Sequence, residues 1–158
     1  MHSEVQVGTR VAVHLPRVAR PAPDAGRRVT HGASGSVLVI DDQLRVARSL
    51  ARALRPLDVE VCTDPAEAVA LLEEAPDRFD LVVCDLMMPE LRGEDVFARV
   101  PPTAQDRMVF MTGGAFTPGS HAFAEQMGER VLQKPPDRDR IRQLVEARRV
   151  WAPMVKKT

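Results

Sequence analysis

A doubly wound α/β fold built on a five-stranded parallel sheet is what this sequence predicts, and three observations predict it. Short continuous apolar runs recur from Ser36 onward, a segment of helical periodicity follows each of them, and several runs end abruptly on an acidic, hydroxyl or basic residue. Unbroken apolar runs mark strands covered on both faces. Their alternation with amphipathic segments marks parallel strand-helix units.

The first strand is Val37-Leu-Val-Ile40. Helical spacing of Val46, Ala47, Leu50 and Leu54 predicts a helix over 44–54. Val59-Glu-Val-Cys62 is the second strand. Asp64-Pro-Ala-Glu67 then places a capping carboxylate, a proline at the first helical position and an acid at the third, which opens a helix running to Ala75. Leu81 to Cys84 forms the third strand. Pro89 and Gly93 bracket a loop before a short helix over 94–100, and Met108 to Met111 forms the fourth strand. Gly113-Gly114 releases the chain from it. A helix near 120–127, a fifth strand Val131-Leu-Gln133 and a final amphipathic helix over 137–150 complete the set, the last carried by Ile141, Leu144, Val145 and Val150.

Ahead of the sheet, Val11, Val13 and Leu15 alternate as a strand that Pro16 ends. Residues 17–35 hold Pro21, Pro23, Gly26, Gly32 and Gly35 among scattered arginines, which reads as a flexible linker. The folded domain is expected over 36–150 and a tail over 151–158. No apolar run approaches the roughly 20 residues that span a bilayer, and the first residues lack a secretory pattern, so a cytoplasmic protein is expected. Cys62 and Cys84 lie inside apolar runs at a spacing that matches no zinc pattern, and they are expected as core.

The net charge of zero hides a division: residues 1–36 carry +3, residues 37–136 carry −7 and residues 137–158 carry +4. An acidic middle favours a cation, whereas the basic ends lack interleaved aromatics, so nucleic-acid binding is not expected within this chain. In a flavodoxin-like strand order, 2-1-3-4-5, the first, third, fourth and fifth strands lie side by side. Asp41-Asp42, Asp85, Thr112 and Lys134 then meet in one crevice beyond the carboxyl ends of the strands. Three carboxylates held together repel, and a divalent cation offsets that repulsion. Oxygen ligands point to Mg²⁺, or Mn²⁺, rather than zinc. With the cation bound, Asp85 is the candidate nucleophile toward a phosphoryl group, while Thr112 and Lys134 are candidates to contact its oxygens.

Residues 36–150 resemble the receiver domain of a two-component response regulator. The residues that carry the resemblance are Val37-Leu-Val-Ile-Asp-Asp42, Leu81-Val-Val-Cys-Asp-Leu-Met-Met-Pro89 with Gly93, Met111-Thr112-Gly113, and Gln133-Lys134-Pro135. The resemblance implies Asp85 as phosphoacceptor and metal ligand, Asp42 as a direct Mg²⁺ ligand, Asp41 as one acting through water, and the Met87 backbone carbonyl as a further ligand. It also implies a cis bond before Pro135, and a histidine kinase or phosphotransfer domain as the phosphate donor. The family usually has Tyr or Phe three residues before the lysine, where this chain has Val131. Signalling is then expected to depend on Thr112 and the Gly113-Gly114 loop rather than on a rotating ring.

Residues 3–16, Ser-Glu-Val-Gln-Val-Gly-Thr-Arg-Val-Ala-Val-His-Leu-Pro, resemble the last hairpin of the ATP-binding domain of sensor histidine kinases, with Val11 where that family has Phe. The implied parent is a hybrid histidine kinase carrying this receiver at its C-terminal end. No ATP lid and no phosphorylatable histidine is read here, since His2, His14, His31 and His121 stand in unrelated settings. Only 24 residues follow Lys134, so no attached DNA-binding module is expected and output should pass through a downstream protein partner. Two other functions compete. One is a receiver-like binding module that works without phosphorylation. The other is a metal-dependent aspartyl phosphohydrolase, which would need a general acid near its nucleophile, and two residues after Asp85 the chain offers Met87, which cannot transfer a proton.

Overall fold

The computed structural model describes residues 35–114 and 118–155. The expected hairpin over 1–16 and all but the last residue of the expected linker lie outside them. Five parallel strands, β1 (Ser36–Ile40), β2 (Asp58–Cys62), β3 (Leu81–Asp85), β4 (Met108–Thr112) and β5 (Val131–Gln133), form one sheet in the order β2-β1-β3-β4-β5. This is the expected strand order. The β3–β4 ladder keeps Asp85 opposite Met111, and the β4–β5 ladder keeps Thr112 opposite Gln133. Asp85 and Thr112 are therefore the last residues of their strands, held by the ladder rather than by a loop.

The helices are α1 (Leu44–Ala53), α2 (Pro65–Glu74), α3 (Gly93–Arg99), the single turn α4 (Pro102–Gln105), α5 (Pro118–Met127) and α6 (Arg138–Val155). The α2 start follows the expected chemistry. The Asp64 carboxylate accepts the N–H groups of Ala66 at 2.8 Å and Glu67 at 3.3 Å, and Pro65 takes a position whose N–H has no helical partner. The turn α4 and a 3₁₀ turn over Gly128–Arg130 were not expected, being too short to show a period. Helix α6 runs to Val155, five residues past the expected end at Val150 and through Pro153, which the sequence offers as a stop.

Strand side chains alternate between two apolar layers. Val37, Val39, Leu81, Val83, Val109 and Met111 pack with Ala47 and Leu50 of α1 and with Ile141 and Val145 of α6. Leu38, Ile40, Val82, Cys84, Met108 and Phe110 face the opposite way, against Ala68 and Leu72 of α2, Val96 of α3 and Ala104 of α4. Within that second layer Phe97, Phe110 and Phe123 meet edge to face, with centroids 5.0–5.8 Å apart. Val131 packs half-buried against the same layer, so bulk that the sequence lacks at β5 is present beside it on β4, α3 and α5. Cys62 and Cys84 are buried free thiols, as expected. Gly35 is packed too: a Cβ there would stand 2.6 Å from Val145 Cγ1.

Candidate functional site

The carboxyl ends of β1, β3 and β5 bring the site together. Asp41 directly follows β1 and is completely buried, Asp42 is half-buried, and Asp85 closes β3 with 2% of its surface exposed. Each offers a carboxylate oxygen within 4.8 Å of the other two. The Lys134 ammonium, one residue past β5, donates to Asp41 Oδ2 and Asp85 Oδ2, both at 2.8 Å. Its position is fixed from the backbone, where the Lys134 N–H donates to the Thr112 carbonyl at 2.7 Å. The Lys134–Pro135 bond is cis, as the resemblance implies.

Charge and hydrogen bonding single out Asp42. Asp41 has both oxygens engaged, since Oδ1 accepts the Gln43 N–H at 2.9 Å and Oδ2 accepts Lys134. Asp85 is engaged likewise, with the Met87 N–H on Oδ1 at 3.1 Å and Lys134 on Oδ2. Asp42 Oδ1 is buried without a partner. A buried, unpartnered carboxylate oxygen is costly, and a cation is the partner such an atom calls for. The donor set is all oxygen with no His or Cys ligand, which suits Mg²⁺ or Mn²⁺. A cleft of about 260 Å³ opens on the Asp42 side, lined by Thr63, Asp64, Pro65, Met88, Pro89 and Glu90, and its acidic rim favours cations.

Burial alone would lower the Lys134 pKa, but its hydrogen bonds to Asp41 and Asp85 and the charges of both outweigh burial and hold it above the ordinary lysine value. It is a fixed cation at neutral pH. Burial, with the charges of Asp85 and Asp41 added, pushes the Cys84 thiol far above its ordinary value, so it stays protonated beneath the site.

Thr112 closes β4 completely buried, and its Oγ1 accepts the Gly114 N–H at 3.2 Å, which ties the hydroxyl to the glycine loop. Gly93 begins α3 against the back of the site. A Cβ there would lie 2.6 Å from the Asp85 carbonyl oxygen, so only glycine lets the α3 start approach this closely. All the residues that the sequence singled out at the strand ends occupy one rim. What the sequence did not reveal is the double contact of Lys134. One ammonium already offsets repulsion between two of the three acids, and sequence reasoning assigned that work to a metal alone.

The sequence profile of the response regulator receiver domain matches residues 37–146. The sensor kinase CckA of Brucella abortus is 31% identical over 139 residues, an alignment covering 79% of this chain and 14% of that protein. The response regulator MprA of Mycolicibacterium vanbaalenii is 42% identical over 72 residues, covering 44% of this chain and 30% of the relative. This chain thus corresponds to less than a third of the length of either curated relative. Among solved structures, a response regulator receiver domain protein from Clostridium thermocellum superposes with a TM-score of 0.64 at 18% identity, covering 77% of this chain and 98% of that one.

Proposed function

This chain belongs to the response regulator receiver domain family of two-component signalling, and from that premise we propose that Asp85 is its phosphoacceptor. An Asp85 carboxylate oxygen attacks the phosphorus of a phosphohistidine on a histidine kinase or phosphotransfer domain. The new O–P bond forms as the P–N bond breaks, the imidazole leaves with the electron pair, and an acyl phosphate remains on Asp85. Lys134, already bonded to the acceptor carboxylate, orients it before transfer and pairs with a phosphoryl oxygen afterwards. The Thr112 hydroxyl exchanges its Gly114 contact for a phosphoryl oxygen, which moves the Gly113-Gly114 loop and carries the signal to a downstream protein.

Asp42, Asp85 and the Met87 carbonyl would hold Mg²⁺ directly and Asp41 would act through water, the ligand set that membership of the family implies, and the unpartnered Asp42 Oδ1 beside the other two carboxylates supports it. The bound ion supplies neutralisation of charge on the transferring phosphoryl group. The observation that carries the reading is the convergence of Asp41, Asp42, Asp85 and Lys134, drawn from three strands, within hydrogen-bonding or ligating reach.

The likeness to CckA along an alignment longer than the receiver match supports a hybrid histidine kinase parent, in which 1–16 ends the ATP-binding domain, 17–35 is the linker, 36–150 the receiver and 151–158 the tail. A cytoplasmic location follows from that reading. Among the described residues no helix is long and apolar enough to cross a membrane. The deciding experiment treats the chain with a small acyl phosphate donor and Mg²⁺ and reads intact mass. A gain of one phosphoryl group, absent in Asp85→Asn, is expected. An equal gain in Asp85→Asn would remove Asp85 from the role, and no gain in the wild type would favour a module that works without phosphorylation.

A further inference from the structure

The open edge of the sheet carries a groove that phosphoacceptor chemistry does not use. It lies between α1 and β2, has a volume of about 240 Å³, and is lined by Arg48, Arg52 and Arg55 over a half-buried floor of Ala51, Leu57 and Val59. None of the three guanidiniums has a hydrogen bond or ion pair among the described residues. One wall is held from below, where Arg142 of α6 donates to the Ala53 and Arg55 carbonyls at 3.3 and 2.5 Å.

Among the described residues, strand β2 is the edge of the sheet. Its Asp58 N–H donates inward to Gly35 and its Cys62 carbonyl accepts inward from Asp41, so by strand alternation the N–H and C=O of Val59 and Val61 point outward. Side chains alternate as well. Val59 and Val61 lie on the arginine side, while Glu60 lies on the other face and is paired with Arg78 at 2.6 Å. The groove therefore joins a free backbone edge, an apolar floor and three unneutralised cations, with no acid of its own strand facing it.

We propose that this edge docks an extended acidic segment of a partner protein, which adds to the sheet beside β2 and turns alternate carboxylates toward the arginines. The repeats match. Arg48 and Arg52 are four residues apart on a helix, a rise of about 6 Å, and alternate residues of a strand are about 6.6 Å apart. Arg55, in the turn that follows α1, adds a third cation to the same groove. Main-chain pairing gives affinity, and the charge row selects the partner.

The test uses fluorescence anisotropy of the full, unphosphorylated chain with a labelled peptide of alternating Glu and Thr, compared with the same residues arranged as one block of Glu. The alternating peptide is expected to bind about tenfold tighter or more. The double variant Arg48→Gln/Arg52→Gln should weaken it about fivefold or more, and added salt should act in the same direction. Val59→Pro removes one outward N–H on an edge strand, where proline is tolerated, and should weaken binding too. Arg78→Gln, on the opposite face, should leave binding unchanged. Equal affinity for the two peptides, indifference to the double arginine variant, or tighter binding of a single-stranded oligonucleotide would overturn the proposal. The exposed arginine variants decide the matter if Val59→Pro does not fold.

Discussion

Replacing Gly93 by Ala probes the contact between the back of the site and the start of α3. The added methyl would stand 2.6 Å from the Asp85 carbonyl oxygen, 3.0 Å from Leu86 Cα and 3.2 Å from Leu86 Cδ2, all inside the 3.4 Å at which ordinary contact begins. The two nearest atoms are backbone of β3 and its extension, so no flexible side chain can yield to it. Either α3 retreats, lengthening the 3.3 Å bond from Gly93 N–H to the Leu86 carbonyl, or the strand end bends. Overpacking of this kind costs about 1–3 kcal/mol, and the small helix-propensity gain of alanine at a first-turn position offsets little of it. At about 4 °C per kcal/mol for a domain of this size, the melting temperature should fall by roughly 4–12 °C. Gly113→Ala is the matched control, since nothing lies within 4 Å of its Cβ position and it needs no left-handed φ. It should be neutral, or stabilising by up to about 1 kcal/mol through the unfolded chain. Differential scanning calorimetry of both variants decides: a Gly93→Ala protein that melts with the wild type, or a Gly113→Ala protein that loses as much, refutes the steric argument.

Four further outcomes follow from the same geometry. Removing the ammonium in Lys134→Met leaves two buried carboxylates facing each other and should cost about 3 kcal/mol in denaturant titration without divalent cations, where a loss under about 1 kcal/mol would contradict the pairing. Because the folded-state pKa of Lys134 is raised, this advantage over Lys134→Met is fully present below the ordinary value of 10.5 and is lost only as pH rises through the higher folded-state value, so a wild-type advantage that vanished near neutral pH would be inconsistent with it. Cys62 and Cys84 should both resist alkylation by iodoacetamide in the native protein and both react in guanidinium, as mass spectrometry would read. Phe110→Ala, which empties a fully buried position in contact with two rings, should cost about 3–5 kcal/mol, whereas a loss near 1 kcal/mol would mean that the aromatic cluster is loosely packed.

Much of this molecule is legible in its sequence because parallel strands announce themselves twice, by an unbroken apolar run and by the polar residue that ends it. Asp85 and Thr112 each stand at such an ending, and strand order alone then brings them to one rim. Asp64-Pro65 is legible for a local reason, since cap and helix start are chemically tied to adjacent positions. The turn Pro102–Gln105 is not, because a single turn has no periodicity to detect. Partner choice within the site is not legible either. Sequence spacing places Lys134 near the acids, but only side-chain geometry shows that it serves Asp41 and Asp85 together and leaves Asp42 Oδ1 alone. The arginine groove is not legible either, because Arg48, Arg52 and Arg55 gain a facing wall only when β2 lies beside α1.

Neighbouring residues of β4, Val109 and Phe110, belong to different apolar layers, and the same division runs along β1 and β3. The sheet is a partition between two rooms whose furniture can be rearranged separately, so substitutions on opposite sides that share no partner and lie well apart should combine additively. Asp85 and Thr112 stand on the sill of that partition. An evolving chain could therefore refit either room, to suit a new partner against α1 or against α5, while the doorway formed by the strand ends keeps its frame.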